Sequence, residues 1–436
     1  MKSKMRLLLV LALAACMSLT VACGGSPSTT GSPSPAGTTD NGNTATPSPM
    51  TADTPAASEA VSLKVWAPPE EQEITIQMCT AFQEAHPEYQ ITFDYAIESM
   101  DNVINDLKKD ADVAGDVFMY PTGGIPELVE AGLIYPITID KDAITSLHSE
   151  PSIAACTYQG QMYGVPVTPN SWFMYYDKSK YTEDDVKSLE SMMAKDLGAG
   201  VANFSCTITN SWYISAFFYA NGCTLFGADG TDPTECSWNS PAGVEVGNYL
   251  VDLSSNPKYV EDKDGVAGTM MREGKLGALC SGTWAAQPIK EALGDNYAAC
   301  KLPTIHIGGA DKQLRNFADF KAYGVKSRTK APKAAQQLAA WLCNEANQLQ
   351  RFETNAYAPT VKSLLTNPTV LANKEVTALS VQTQYSIPNP TTSKLADYWT
   401  PATAFGSGID DKSITKDNMQ ASLDTLVANI LGTLTN

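Results

Sequence analysis

The chain has 436 residues, 43% hydrophobic and 18% charged, so it can bury a large core and is not expected to be disordered as a whole. Its net charge is −17, from 30 Lys and Arg against 47 Asp and Glu, which disfavours binding to nucleic acid or anionic membrane surfaces. The three histidines, His86, His148 and His306, are not spaced as zinc ligands, and we expect neither a metal site nor a cofactor.

Residues 1–22 have the pattern of a secretory signal peptide. Lys2, Lys4 and Arg6 precede an apolar run over 7–15. This run is too short for a comfortable membrane span, and no later stretch reaches its length. We therefore expect export and no transmembrane helix.

The sequence LTVACGG over 19–25 resembles a bacterial lipoprotein cleavage site, with small residues before a cysteine and glycines after it. We expect Cys23 to become the lipidated N-terminus. Cys16, which follows LAA, is the alternative, although cleavage there leaves a very short apolar segment. Plain secretion with an unmodified Cys23 also remains open.

Residues 23–60 are predicted to form a lipidated cysteine followed by a flexible tether. Ser, Thr, Pro, Gly and Ala dominate this stretch, and it has no apolar periodicity. Such a segment buries too little apolar surface to offset the entropy of ordering it. The expected organisation is a lipid, a disordered leash and a globular body held near the membrane.

The body has the pattern of an α/β protein. Apolar residues alternate over 61–65 and again over 91–95, as in half-buried strands. Between them, 71–85 carries apolar residues at every fourth position, as in an amphipathic helix. The order strand, helix, strand predicts a parallel sheet. Further strand–helix units are predicted over 116–130, 203–222 and 276–294, and an amphipathic helix over 331–352.

Ligands of open α/β sheets bind beyond the carboxyl ends of the strands, so the residues that follow each predicted strand are candidate contacts. These residues are mainly aromatic or polar. They lie in the segments 66–71, 120–123, 168–172, 209–213 and 281–284.

Eight cysteines lie in the body, and none forms a CxxC motif, which disfavours a zinc ribbon or a thioredoxin-type site. Export permits disulfides. Cys223 and Cys236 flank a turn-rich segment and are a candidate hairpin bridge, and Cys280 and Cys300 are candidates to join neighbouring strands. Buried free thiols are the alternative for both pairs.

Several blocks occur in a specific order and spacing along 61–436: VW at 65–66, DVFMY at 116–120, ELVEAGLIYPI at 127–137, YGVP at 163–166 and SGTWA at 281–285. Together they resemble the maltose/maltodextrin-type extracellular solute-binding lipoproteins of bacterial ABC importers. The resemblance implies a two-lobed, periplasmic-binding-protein-like α/β fold with three hinge crossings. It implies one lobe of 61–168 plus 302–347 and another of 169–301 plus 348–436.

The resemblance also implies the contacts of a ligand in the cleft between the lobes. Asn170 and Asn210 stand where relatives often carry acidic residues, so amides are expected to meet the ligand there. The full set of candidate contacts is Trp66, Glu70, Glu71, Tyr120, Asn170, Trp172, Asn210, Trp212, Trp284 and Trp399.

These residue types suit a carbohydrate. An aromatic ring packs on the apolar face of a pyranose, and amides and carboxylates bond its hydroxyls. Trp238 and Trp341 are expected to be structural, and Trp66 is equally compatible with supporting its loop. The resemblance implies capture of a carbohydrate, closure, and delivery to the permease subunits of an ABC transporter and their ATPase. We expect a monomer that performs no chemistry.

Two alternatives remain open at this point. Carboxylate pairs such as Glu70/Glu71, Asp184/Asp185 and Asp410/Asp411 allow a surface glycoside hydrolase, although adjacent carboxylates are commonly solvated surface charge. A sugar-binding adhesin or sensor with the same fold is the other alternative.

Overall fold

The computed structural model describes residues 58–263 and 265–432. The predicted signal peptide, Cys16, Cys23 and residues 24–57 of the predicted tether lie outside the described residues. The first strand begins at Glu59, inside the predicted tether, because Glu59 already pairs with Tyr89.

The described elements alternate between strands and helices along most of the chain. The strands are β1 Glu59–Ala67, β2 Tyr89–Ile97, β3 Val117–Pro121, β4 Thr157–Tyr158, β5 Gln161–Met162, β6 Val165–Asn170, β7 Trp172–Asp177, β8 Ala202–Ser205, β9 Tyr259–Val260, β10 Leu276–Gly282, β11 Tyr297–Cys300, β12 Thr304–Ile307, β13 Ala310–Gln313, β14 Phe317–Val325 and β15 Ile387–Pro388. The helices are α1 Gln72–Ala85, α2 Val103–Lys109, α3 Ile125–Glu130, α4 Lys141–Leu147, α5 Glu150–Ala155, α6 Leu189–Ala194, α7 Ser211–Ala220, α8 Pro241–Ser254, α9 Val266–Arg272, α10 Ala286–Leu293, α11 Pro332–Leu342, α12 Glu345–Asn355, α13 Pro368–Leu371, α14 Lys374–Thr383, α15 Ala396–Asp410 and α16 Met419–Leu431.

Two mixed sheets define two lobes. The first lobe is built on the strand order β15-β14-β3-β1-β2, with β6 pairing with β14 as well. The second is built on β11-β7-β10-β8-β9. Strand β1 runs parallel to β2 and β3, which confirms the predicted strand–helix–strand unit at the start of the body. The two-lobed α/β fold is thereby confirmed.

Helix α1 shows why the apolar spacing produces this packing. Ile74, Met78 and Phe82 form its buried stripe, and the helix ends before His86, which precedes a proline. The stripe packs against α11, where Trp341 donates a hydrogen bond from its indole nitrogen to the carbonyl oxygen of Met78 at 2.9 Å. Trp341 therefore serves packing, as the sequence predicts.

In the described part the chain passes between the two sheets at 170–172, 300–317 and 355–374, and it returns briefly to the first sheet at β15 before the C-terminal helices of the second lobe. Two segments pack in a different lobe from the one that the predicted boundaries assign to them. The β12–β13 hairpin packs on α6 and α8, so Leu302, Ile305 and Leu314 lie in the core of the second lobe. Helix α12 stays with the first lobe, because Gln348 donates to the carbonyl oxygen of Pro166 at 2.9 Å.

Cysteine packing decides against one predicted bridge. Cys280 on β10 and Cys300 on β11 both lie opposite Met174 of the strand between them, β7, so a whole strand separates them. Two strand spacings, about 9.5 Å, exceed the reach of a disulfide. Cys223 and Cys236 are free thiols as well, and all eight described cysteines are unbridged. The predicted bridges are therefore replaced by free thiols, most of them buried.

Within 58–263 and 265–432, every helix is either too short or too polar to cross a membrane.

A buried ion pair ties the start of α1 to α12. The side chains of Glu71 and Arg351 are 0% and 1% exposed, and Arg351 Nε lies 2.6 Å from Glu71 Oε2. Asn355 Nδ2 donates to the other carboxylate oxygen at 2.6 Å. Arg351 also donates to the carbonyl oxygen of Leu342, so both charges are compensated inside the protein.

Substitution of Glu71 by Ala is expected to destabilise the fold by about 3–5 kcal/mol, because it leaves the Arg351 charge buried without its partner. Urea denaturation measures this loss. The matched control is Asp252→Asn, which removes a pair with Lys416 whose side chains are 67% and 49% exposed. The control should change the free energy of unfolding by less than about 1 kcal/mol. Equal effects of the two variants would contradict the structural role of the buried pair.

Candidate solute-binding cleft

A cavity of about 680 Å³ lies between the two lobes. Such a volume is within the range of about 300–1,000 Å³ usual for small-molecule sites. The first lobe contributes the loop after β1, the segment before α2, the turn after β3, and β14. The second contributes the start of α7, Trp284 just after β10, and the segment 392–403.

Three tryptophans of the second lobe line this cavity: Trp212, Trp284 and Trp399. The rings of Trp212 and Trp399 have centroids 6.3 Å apart, and both pack near Phe317 of β14, at 5.8 and 5.9 Å. All three indoles are half-buried, so part of each ring stays open to the cavity. Flat apolar surface therefore faces the cleft from three different elements.

Asn210 positions Trp212 by capping α7. Its Oδ1 accepts a hydrogen bond from the backbone N–H of Trp212 at 2.8 Å, as an N-cap residue does. The amide nitrogen of Asn210 is then the end that remains for a ligand, because the oxygen already serves the helix.

Lys321 is the buried cation of the cavity. Its side chain is 3% exposed, and its ammonium group lies 5.4 Å from the Trp284 ring centroid of the opposite lobe. It donates to the Tyr357 hydroxyl at 2.8 Å and lies 3.4 Å from Glu70 Oε1. The attraction between the ammonium group and the ring face links the two lobes across the cleft.

Asp319 lies on the same strand, two residues before Lys321, and is 7% exposed. Its carboxylate accepts hydrogen bonds from Asn170 Nδ2 at 2.6 Å, from the backbone N–H of Gly123 at 3.1 Å and from Asn389 Nδ2 at 3.1 Å. Burial nevertheless raises the pKa of Asp319 to about 7, because the hydrogen bonds and Lys321 only partly offset the loss of water.

Six of the ten predicted contacts line this one cavity. They are Glu70, Asn170, Asn210, Trp212, Trp284 and Trp399. Their contact with a ligand stays a prediction.

The other four lie outside the cavity lining, so their prediction as contacts is wrong for this structure. Trp66 is still within β1, which continues to Ala67, and packs against Gly115 in the first core. The carboxylate of Glu71 is buried in its ion pair with Arg351. Tyr120 is fully buried within β3 and donates from its hydroxyl to the carbonyl oxygen of Tyr163 at 3.1 Å.

Trp172 is the fourth of these residues. It is fully buried at the start of β7, and its ring lies 4.8 Å from that of Tyr213, which does line the cavity. Trp172 therefore supports the cleft from beneath.

Sequence reasoning missed Asp101, Asp319, Lys321 and Asn389, which also line the cavity. A signal for two of them was present. The segment FADFKAYGV over 317–325 reads as a strand, and it carries Asp319 and Lys321 at positions that share one face with apolar residues. Charged residues on the buried face of a strand indicate a polar site there. Among the described residues, no group of three or more His, Cys, Asp or Glu is arranged to hold a metal ion.

Residues 77–378 match the family described as bacterial extracellular solute-binding protein, over more than half of the chain. The chain belongs to this family. Among its relatives, the galactooligosaccharide-binding protein of Bacillus subtilis (strain 168) is 27% identical over 360 residues, which are 79% of this chain and 84% of the relative. Maltodextrin-binding protein MdxE of the same organism is 25% identical over 332 residues, covering 72% and 76%.

Solved structures show the same fold. A structure described as a complex with acarbose is 35% identical, covers 87% of this chain and 100% of its own, and superposes with a TM-score of 0.80. Maltodextrin binding protein MalE1 from L. casei BL23, solved without ligand, is 25% identical, covers 85% and 99%, and has a TM-score of 0.72.

Gly282 is expected to be required for the position of Trp284. A Cβ atom on Gly282 would overlap the Trp284 ring, whereas a Cβ on Gly268 of α9 meets nothing within 4 Å. Gly282→Ala should therefore displace the ring and cost about 1–3 kcal/mol of unfolding free energy through overpacking. Urea denaturation tests this, with Gly268→Ala as control. If Gly282→Ala is as stable as Gly268→Ala and the ring has not moved in its crystal structure, the tight contact is not real.

Proposed function

We propose that this protein captures an oligosaccharide in the interlobe cavity and delivers it to the permease subunits of an ABC transporter. The observation that carries the proposal is the set of three indole rings, Trp212, Trp284 and Trp399, on the second-lobe wall of a cavity whose first-lobe wall carries charged and amide side chains. Indole faces pack on the apolar side of a pyranose ring. Glu70, Asn170 and the Asn210 amide supply groups for its hydroxyls.

The relatives support the choice of ligand class. Two of them are named for galactooligosaccharide and maltodextrin binding, and the structure that is 35% identical is a complex with acarbose. These names differ in the sugar, so we propose the class, an oligosaccharide, and leave the sugar to experiment.

Binding is proposed to select a closed form of the protein. A ligand that packs on the indoles of the second lobe and bonds the polar groups of the first contacts both sides only when the lobes approach. Closed lobes present one continuous surface, and this is what a permease would recognise. The protein then acts as a monomer, since each chain carries a complete cavity.

We propose that the ligand leaves unchanged. A glycoside hydrolase needs a carboxylic acid free to protonate the glycosidic oxygen. The raised pKa of Asp319, about 7, resembles that of such an acid, but both of its oxygens already accept hydrogen bonds from Asn170, Gly123 and Asn389. For Asp319, this arrangement favours a binding role over that of a catalytic acid.

The location is proposed to be the extracellular face of the cell membrane. The pattern around Cys23 supports a lipid anchor, and the composition of 24–57 supports a tether. More than one acyl chain is needed for stable anchoring, as each buried CH₂ contributes about 0.8 kcal/mol.

The binding proposal is tested by incubating the protein with a panel of malto- and galactooligosaccharides. Mass spectrometry then identifies the oligosaccharides in the bound and free fractions. We expect intact oligosaccharide in the bound fraction and a change in tryptophan fluorescence. Shortened products in the free fraction would support the hydrolase, and binding of none of the panel would contradict the proposed function.

Trp284→Ala and Trp399→Ala should each weaken oligosaccharide binding by roughly 30-fold, or about 2 kcal/mol, because each removes a large apolar contact. Isothermal titration calorimetry measures the dissociation constant. The control Trp341→Phe changes an indole that donates to the Met78 carbonyl oxygen in the first core and is not part of the cavity lining. It should bind as the wild type does, and equal losses in all three variants would refute the assignment.

Cys23→Ser should release the protein from cells into the medium, because it removes the acceptor of the lipid. Immunoblots of cell and medium fractions measure the release. Cys16→Ser should remain cell-bound. The reverse pattern would assign the lipid to Cys16, and retention of both variants would mean that no lipid anchors the chain.

A further inference from the structure

Asp319 collects donors from three separate segments at one side of the cavity. Gly123 follows β3, Asn170 ends β6 at the first crossing between the lobes, and Asn389 follows β15. All three are neutral, and two are amides that could in principle turn either end toward the carboxylate.

The chemistry of a carboxylate decides which end each amide turns. An ionised carboxylate only accepts hydrogen bonds, so Asn170 and Asn389 must both direct their NH₂ groups toward Asp319. The oxygen of Asn389 is thereby left buried without a partner. An unpaired buried acceptor is unfavourable, so the attraction of the amide for the carboxylate outweighs that penalty.

The same constraint applies to Asn170, which is only 9% exposed and lines the cavity. Its side-chain nitrogen donates a hydrogen bond to Asp319, and no described residue donates a hydrogen bond to its side-chain oxygen. The oxygen of Asn170 is therefore the end that stays available at the cavity wall.

We propose that Asp319 is a positioning residue: its ionised carboxylate holds Asn170 and Asn389 in one orientation, so that the Asn170 oxygen accepts a hydrogen bond from a ligand hydroxyl. The role of the hydroxyl rests on the proposed function, whereas the orientation of the amides does not. Asp319 acts through Asn170 and needs no contact with the ligand.

Protonation should release this orientation. A protonated Asp319 carries an O–H that needs an acceptor, but its three partners all point N–H groups at it, so we expect one amide to turn its oxygen toward that proton. Because burial raises the pKa of Asp319 to about 7, the ionised form prevails above that pH and is lost below it. The orientation, and with it the acceptor, should therefore be present at pH 8 and largely lost at pH 6.

Other ionisable groups lie near Asp319. Asp101, just before α2, lines the same cavity, and burial raises its pKa although Lys321 partly offsets this, so the NMR signals of the two amides, rather than affinity alone, assign the titration to Asp319. Lys321 lies on its own strand, and its charge favours the ionised form. Cys156, at the end of α5, is fully buried, and Glu70 is paired with Lys321. Glu127 on α3 is paired with Lys108. The segments 122–124, 165–170 and 387–390 carry no charged side chain.

The ligand-free protein tests the orientation directly. Side-chain amide signals of Asn170 and Asn389 are followed by ¹⁵N–¹H NMR from pH 5.5 to 8.5 and assigned by their loss in Asn170→Ser and Asn389→Ser. We expect both to shift with one midpoint near pH 7 and to stay constant in Asp319→Asn. If Asp319→Asn does not fold, the wild-type titration decides alone. Signals that do not move in the wild type overturn the proposal.

The second arm measures affinity for maltotetraose and for galactotriose by calorimetry at pH 6 and pH 8. The wild type should bind about tenfold more tightly at pH 8. A tenfold change is what we expect when a single hydrogen-bonding group is held in the right orientation at one pH and released at the other. Asp319→Asn should bind weakly at both values, and Asp252→Asn, an exposed substitution on α8, should retain the wild-type difference. Equal wild-type affinity at both pH values overturns the proposal. Failure to bind either sugar at any pH counts against the proposed function instead, and the NMR titration then still decides the role of Asp319.

Discussion

The cleft depends on one strand, β14, that packs in both lobes. Its first residue, Phe317, packs in the core of the second lobe beside Trp212 and Trp399. Further along, Tyr323 and Val325 lie in the core of the first lobe. Between these anchors, Asp319 and Lys321 face the cavity. Because the strand is held at both ends by apolar burial, its two charged residues are kept at the junction of the lobes.

Burying Lys321 there requires compensation from both sides of the cleft. The ammonium group has the Tyr357 hydroxyl and Glu70 on the first lobe, and the face of the Trp284 ring on the second. A buried charge is tolerated only with such partners. The indole that is proposed to pack on a sugar is therefore also held by a cation beneath it, and displacement of either one affects the other.

Sequence reasoning found much of this arrangement where local pattern and burial agree. The apolar stripe of α1 and the alternation in β1 predicted a parallel unit, and the tryptophans at 212, 284 and 399 follow strands or begin helices beside the cavity. The prediction of ligand contacts failed where a strand extends further along the chain than its apolar pattern indicated. Trp66 and Tyr120 are still within strands, so their side chains follow the pleat into the core.

Long-range contacts were the second reason for failure. Glu71 looks like any acidic residue in a loop, and only the fold brings Arg351, 280 positions later, against it. The predicted boundary between the lobes near 302 differs from the structure for the same reason. The β12–β13 hairpin belongs to the second lobe because of the helices it contacts, and its own sequence does not reveal those contacts.

The free cysteines have a consequence for how the protein can be made. Burial raises the pKa of Cys79, Cys236, Cys300 and Cys343 to about 12, so these thiols hold their protons and react slowly with oxidants. Since no described cysteine is bridged, the body gains nothing from an oxidising compartment. Recombinant synthesis in a reducing cytosol, without disulfide-forming enzymes, should therefore yield the same folded body as export does.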